Sequence, residues 1–158
     1  IVGDLDTGAS LIERALDLNP NGPLPLIQCG FVRIWLGQPE IAVEHLQKAM
    51  RLSPVDTLMF MMHTGMAFAH FTAGHDDEAF GWAEKAQQRN PFMSPAARIA
   101  VASAAFLRRT ADATKYLALL RQLDPGLRVA NIGERVNLRR ADDRERLADG
   151  LRRAGLPE

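Results

Sequence analysis

The residues best suited to chemistry in this chain are four histidines, a single cysteine and one acidic run. His63 and His70 stand seven positions apart, about two turns of helix, so they share a face. No carboxylate or cysteine stands at ligand spacing beside them. A packing pair turned toward the partner helix is therefore a better reading than a metal site. His45 and His75 complete the set. Asp76-Asp77-Glu78 lacks the alternating oxygen donors of a calcium loop. At the start of a helix these side chains cap it and complement its dipole. Cys29 has no second cysteine to pair with and reads as a small packing residue. The chain contains no HExxH, CxxC, GxSxG or phosphate-loop glycine pattern. Nothing here suggests an enzyme, and no catalytic residue, cofactor or metal is expected.

The elements that hold these residues read as a succession of short helices. Cys29 to Pro54, CGFVRIWLGQPEIAVEHLQKAMRLSP, describes a helical hairpin. Cys29–Leu36 closes the first helix and Gly37-Gln38-Pro39-Glu40 forms the turn. Pro39 has a φ suited to the first turn of the next helix. Ala42, Leu46, Ala49, Met50 and Leu52 then return at helical spacing, and Pro54 stops the helix. The whole pattern predicts helices near 5–18, 23–36, 39–52, 55–73, 76–89, 94–108 and 110–123. Asp56 or Thr57 is placed to cap the fourth, which is longer than the others. The three extra residues of its unit fall in it or just before it.

Leu18-Asn19-Pro20, Leu52-Ser53-Pro54, Arg89-Asn90-Pro91 and Leu123-Asp124-Pro125 mark a repeat, with prolines 34, 37 and 34 residues apart. Small residues stand at fixed places before each proline. They are Gly30, Gly37, Ala42 and Ala49 in one unit, then Ala67, Gly74, Ala79 and Ala86. In the third unit the same places hold Val101, Arg108, Ala113 and Leu120, so the match weakens along the chain. Between the small residues of each second helix stand Leu46, Ala83 and Leu117. This pattern resembles the tetratricopeptide repeat (TPR), whose period is 34. The resemblance implies an all-α, right-handed solenoid of helix hairpins. The expected units are 1–22 (the second helix of a truncated repeat), 23–56, 57–93 and 94–125, with 126–158 as an atypical C-terminal cap, all in one domain. Residues 5–18 resemble a second TPR helix without its first, so a fragment of a longer protein is expected.

Composition narrows the partners. A chain of 158 residues, if compact, buries about 70% of its unfolded surface, and a solenoid somewhat less. Lysine plus arginine and aspartate plus glutamate both number 19, which argues against a nucleic-acid binder. No apolar run reaches about 18–20 residues, so no membrane span is expected. The cluster Leu58–Met62 is far shorter. No signal-peptide pattern opens the chain, and a cytoplasmic setting is expected.

From Gly126 the repeat ends. One or two helical turns are expected within 131–136, and a last helix over about 141–153, with Leu147 and Leu151 facing inward and Gly155 ending it. Such a piece covers the last apolar layer of a solenoid. Its eight arginines and six acids read as a solvated face rather than a nucleic-acid patch. The tail has a Leu-Arg-Val-Ala-Asn start, an Arg-Arg pair, an acidic helix start and the ending Gly-Leu-Arg-Arg-Ala-Gly-Leu-Pro-Glu. It is similar to the C-terminus of bacterial signalling proteins in which TPR repeats follow a class III adenylate/guanylate cyclase domain. In relatives of that group the repeats follow a winged-helix DNA-binding domain of a transcriptional regulator. No catalytic residue of a cyclase has a counterpart here.

The TPR resemblance also implies a groove, lined by the first helix of each pair, that binds peptides or partner helices. Its positions here include Ile27, Phe31, Ile34 and Trp35, then Met61, Phe68 and Phe71, then Arg98 and Phe106. Chaperone-binding TPRs of the carboxylate-clamp type carry several basic residues at such places, whereas only Arg98 is basic here. The expected partner is a protein or peptide segment, an amphipathic helix or a hydrophobic stretch. Two alternatives stay open: self-association as a homodimer through the same surface, and internal packing, including burial beneath the C-terminal helix.

Overall fold

The computed structural model describes residues 5–55 and 57–158. Among these the chain forms nine α-helices and no strand. They are α1 (Leu5–Leu18), α2 (Pro23–Trp35), α3 (Pro39–Leu52), α4 (Met59–Thr72), α5 (Asp76–Arg89), α6 (Ser94–Phe106), α7 (Thr110–Leu123), α8 (Ile132–Arg135) and α9 (Ala141–Arg153). A 3-10 turn at Val129–Asn131 precedes α8. The expected helices are all present. The fourth differs at its start: α4 begins at Met59, so the extra residues of its unit lie in the connection before it. Thr57 stands in that turn and Asp56 lies outside the described residues.

The helix ends follow from local chemistry. Prolines open α2, α3 and α6, where the missing N–H costs nothing. Three hairpin turns share one C-terminal closure, in which two successive N–H groups reach back to helix carbonyls. Gly37 N–H donates to the Ile34 carbonyl and Gln38 N–H to Arg33; Gly74 and His75 repeat this on Phe71 and His70. Gly37 and Gly74 have φ of 75° and 83°, the left-handed conformation that this closure demands. The third hairpin makes the same bonds with Arg108 in that place, at φ 58°.

The hairpins α2–α3, α4–α5 and α6–α7 stack so that α2 touches α4 and α4 touches α6, while the second helices make no comparable contact with one another. Closer spacing of the first helices curves the array with α2, α4 and α6 on the inside. Leu46 of α3 fixes the first junction. A Cβ on Gly30 would stand 2.7 Å from its Cγ, and one on Gly65 2.8 Å from its Cδ1, so the side chain fills a space that two glycines leave open.

Residues Ala96–Ala104 of α6 are all buried, which the last inner helix of an uncovered solenoid could not achieve. The reason is α9, which packs on α6 from the concave side. Leu147 and Leu151 are fully buried, and a Cβ on Gly150 would come within 2.7 Å of the Ala102 Cβ. Small residues on both helices thus let them meet almost backbone to backbone.

Candidate functional site: the concave face

Three elements supply the concave wall: α2 brings Phe31 and Trp35, α4 brings Phe68, and α6 brings Pro95 and Arg98. The fourth side is the chain's own tail. After α8 the backbone extends, with Val136 at φ −135°, ψ 144° and Arg140 at φ −74°, ψ 130°, before α9 begins. This segment crosses the wall. Leu138 is buried with the aromatic residues, and the Arg139 N–H donates to the Trp35 carbonyl at 2.8 Å. Together, wall and tail border a half-open cavity of about 160 Å³ lined by Phe31, Trp35, Phe68, Pro95, Arg98 and residues 135–138.

Arg98 anchors one end. It is 7% exposed, and donates to the Arg135 carbonyl at 3.0 Å, the Asp124 carboxylate at 3.3 Å and Ser94 Oγ at 3.5 Å. Burial pushes its guanidinium below the ordinary value, and the charge and hydrogen bond of Asp124 oppose that push. Arg135 also pairs with Asp124, at 3.5 Å, so two cations share one carboxylate and the cavity wall carries one excess positive charge.

Outside the cavity, Arg146 of α9 covers Phe71 and Phe106. Its guanidinium lies 4.8 Å from the Phe71 ring centre and 4.4 Å from that of Phe106, while Nε donates to the Phe71 carbonyl and Nη2 to Asp76 at 2.6 Å. A charged group in this position is satisfied on every side: stacked over rings, hydrogen-bonded and paired.

The nine groove residues expected from the sequence therefore separate. Phe31, Trp35, Phe68 and Arg98 converge on the cavity. Phe106 is half-buried beneath Arg146 and Arg153. Met61 is half-buried and packs beside the cluster of Leu26, Ile27, Ala49, Met59 and Met62. Ile27, Ile34 and Phe71 are completely buried and offer no surface to a partner in this arrangement: Ile27 and Ile34 are packed within the core, and Phe71 lies beneath Phe106 and Arg146 of α9. The sequence pattern also gives no weight to Leu138, Arg135 or Arg146. The signal that could have found the tail segment is the alternation of Val136 and Leu138 with polar neighbours, which marks an extended stretch.

The chemical candidates have structural places. The His63 ring lies 5.3 Å from that of Trp82 of α5, tilted at 48°, and His70 lies 5.9 Å from His75. Cys29 is buried, and burial pushes its thiol up. Among the described residues no three or more His, Cys, Asp or Glu side chains are grouped to hold a metal ion. No helix there is long and apolar enough to cross a membrane.

No protein-family model and no curated protein matches the sequence. Solved structures do. The crystal structure of MamA matches with a TM-score of 0.68 over 96% of this chain and 87% of that one, at 19% identity. TTC0263, a thermophilic TPR protein of Thermus thermophilus, matches at 0.64 over 95% and 92%, at 19% identity. YrrB, described as a TPR protein with an unusual peptide-binding site, matches at 0.62 over 97% and 77%, at 18% identity.

The fold is that of a TPR solenoid. In TPR terms α2, α4 and α6 are the first helices of three hairpins, and the tail runs back along the surface they form.

Proposed function

We propose that this TPR domain is a non-catalytic protein-interaction module that takes a protein or peptide segment on its concave face. One observation carries the reading: that face already holds a polypeptide. The chain's own residues 136–140 lie across it in extended form, with Leu138 among the aromatic side chains and a main-chain hydrogen bond to Trp35. Main-chain bonding with an aliphatic anchor is a general mode of peptide capture. Phe31, Trp35, Phe68 and Arg98 form the contact surface in this reading. Met61 and Phe106 flank it, and Ile27, Ile34 and Phe71 support it from beneath. The described peptide-binding site of YrrB, on a similar fold, supports a peptide ligand. The test is a titration of a panel of short apolar peptides followed by amide NMR shifts. Ligands that perturb Phe31, Trp35 and Phe68 should lose at least about tenfold in affinity in Phe31→Ser, a loss on the scale of a buried anchor. Shifts confined to the outer helices would overturn the reading.

The tail's similarity to signalling proteins supports a finer setting: the regulatory C-terminal region of a bacterial, cytoplasmic class III cyclase or, alternatively, of a winged-helix regulator. The coding sequence adjoining Ile1 decides between them. A second reading, self-association, draws on Leu11, Leu18 and Leu24, which are exposed on α1 and the start of α2. Light scattering over a wide concentration range tests it, since a mass independent of concentration at one protomer would exclude it.

A further inference from the structure

The tail contains two parts of different character. Helix α9 buries Asp143, Leu147, Ala148, Gly150 and Leu151, and Gly150 sits so close to Ala102 that no side chain fits between them. This part completes the core by covering α6. The extended segment 136–140 is attached far more lightly. Of its five residues only Leu138 is buried. Its one main-chain bond to the wall is Arg139 N–H to Trp35, and the Leu138 and Arg139 carbonyls are turned to Arg144 of α9 instead. Beneath it the cavity of about 160 Å³ remains, so the segment fills the groove incompletely.

Resting on the peptide-binding reading above, we infer that segment 136–140 is a built-in competitor for that site. It holds the place of an extended partner segment that carries an aliphatic residue followed by a basic one. The partner chemistry comes from what the site already accepts. Leu138 supplies the aliphatic anchor, and the next residue, Arg139, donates its N–H to Trp35 and its guanidinium to Asp6 at 2.8 Å. A fuller side chain than leucine at the anchor position would also occupy the cavity. Arg98 holds the Arg135 carbonyl at the segment's start and Arg140 lies against Gly37 at its end. The segment therefore lifts as a short loop between two fixed points while α9 stays docked. An occupied site lowers apparent affinity by the fraction of time it is free. A segment docked more than about nine-tenths of the time therefore weakens an external peptide about tenfold or more.

The test uses the full chain and a labelled peptide of the sequence Glu134–Ala141 (ERVNLRRA) as probe, with anisotropy as readout. Leu138→Ser empties the site, and Arg139→Pro removes the bond to Trp35 while keeping the leucine. Each variant is first checked for native helical circular dichroism. Folded variants should bind the probe at least about tenfold more tightly than the unaltered chain, and adding Phe31→Ser should abolish the gain. Equal affinity for variant and unaltered chains overturns the competition and leaves the groove reading standing. Absence of binding in both folded variants, or binding indifferent to Phe31→Ser, overturns the groove reading as well.

Discussion

At the scale of single residues, Arg108 shows what repeat degeneration costs. The hairpin closure needs a left-handed residue, and an L-residue with a side chain is roughly 1–2 kcal/mol worse there than glycine. Arg108→Gly should stabilise the domain by about 1 kcal/mol, part of the gain being offset by the freer unfolded chain. For a domain of this size that raises the melting temperature by roughly 2–4 °C, and an unchanged or lower value would show the arginine to be holding a contact. His63 and His70 set a pH dependence. Both are held below the ordinary 6.5, chiefly by burial, and the Nδ1 of each is buried without a hydrogen-bond partner. The unfolded chain thus binds these protons more readily than the folded one. Their contribution to stability is complete above 6.5 and is lost as pH falls through the lower folded values. The melting temperature should drop between about pH 7 and pH 5, and His63→Phe, which keeps a ring against Trp82, should flatten the drop. A profile identical to that of the unaltered chain would exclude His63 as a contributor.

At the scale of elements, the helices were legible because prolines, turn glycines and apolar spacing agree with one another. Even the last helix and its inward Leu147 and Leu151 could be read from spacing. The groove was legible only in part. Helical periodicity says which residues share a face, but α2, α4 and α6 are touched from several sides, and it does not say which side receives a neighbour. Phe68 and Phe71 show the difference. They are three apart on α4, yet Phe68 lines the cavity whereas Phe71 is sealed beneath Phe106 and Arg146. Replacing both by glutamate would therefore bury a charge at Phe71 and disrupt the fold rather than report on binding. A cleaner pair is Phe71→Ser and Phe31→Ser. The first should cost about 3–5 kcal/mol, as for a fully buried phenylalanine, and the second distinctly less, because Phe31 is only half-buried. Chemical denaturation compares them; equal losses would place Phe31 in the core. The crossing of segment 136–140 over the wall was out of reach of periodicity, since its contacts are with residues on other helices far away in the chain.

At the scale of the whole molecule, those distant contacts change the character of the array. A bare solenoid is held by neighbours in sequence, and its units can melt separately. Here the tail joins the third hairpin to the first: Arg139 meets both Trp35 and Asp6, the latter 133 positions away. A chain ending at Leu123 should lose the single cooperative transition. Its calorimetric enthalpy should exceed the van't Hoff value, where the full chain should show the two equal. A sharp two-state transition in the shortened chain would show that the hairpins need no tie. Shortening also uncovers α6, whose middle residues are all buried in the complete structure.

That dependence on the tail has a consequence for how the protein is made. Synthesis runs from the N-terminus at about 5–20 residues per second, so the covering segment leaves the ribosome only after the hairpins it covers. The hairpins form from local contacts and do not wait for it. For a period on the order of seconds, each nascent molecule therefore presents Phe31, Trp35 and Phe68 to its surroundings with nothing over them. Ribosomes stalled in that stretch would leave chains in that state, helical yet adhesive, and these should be the products that chaperones retain.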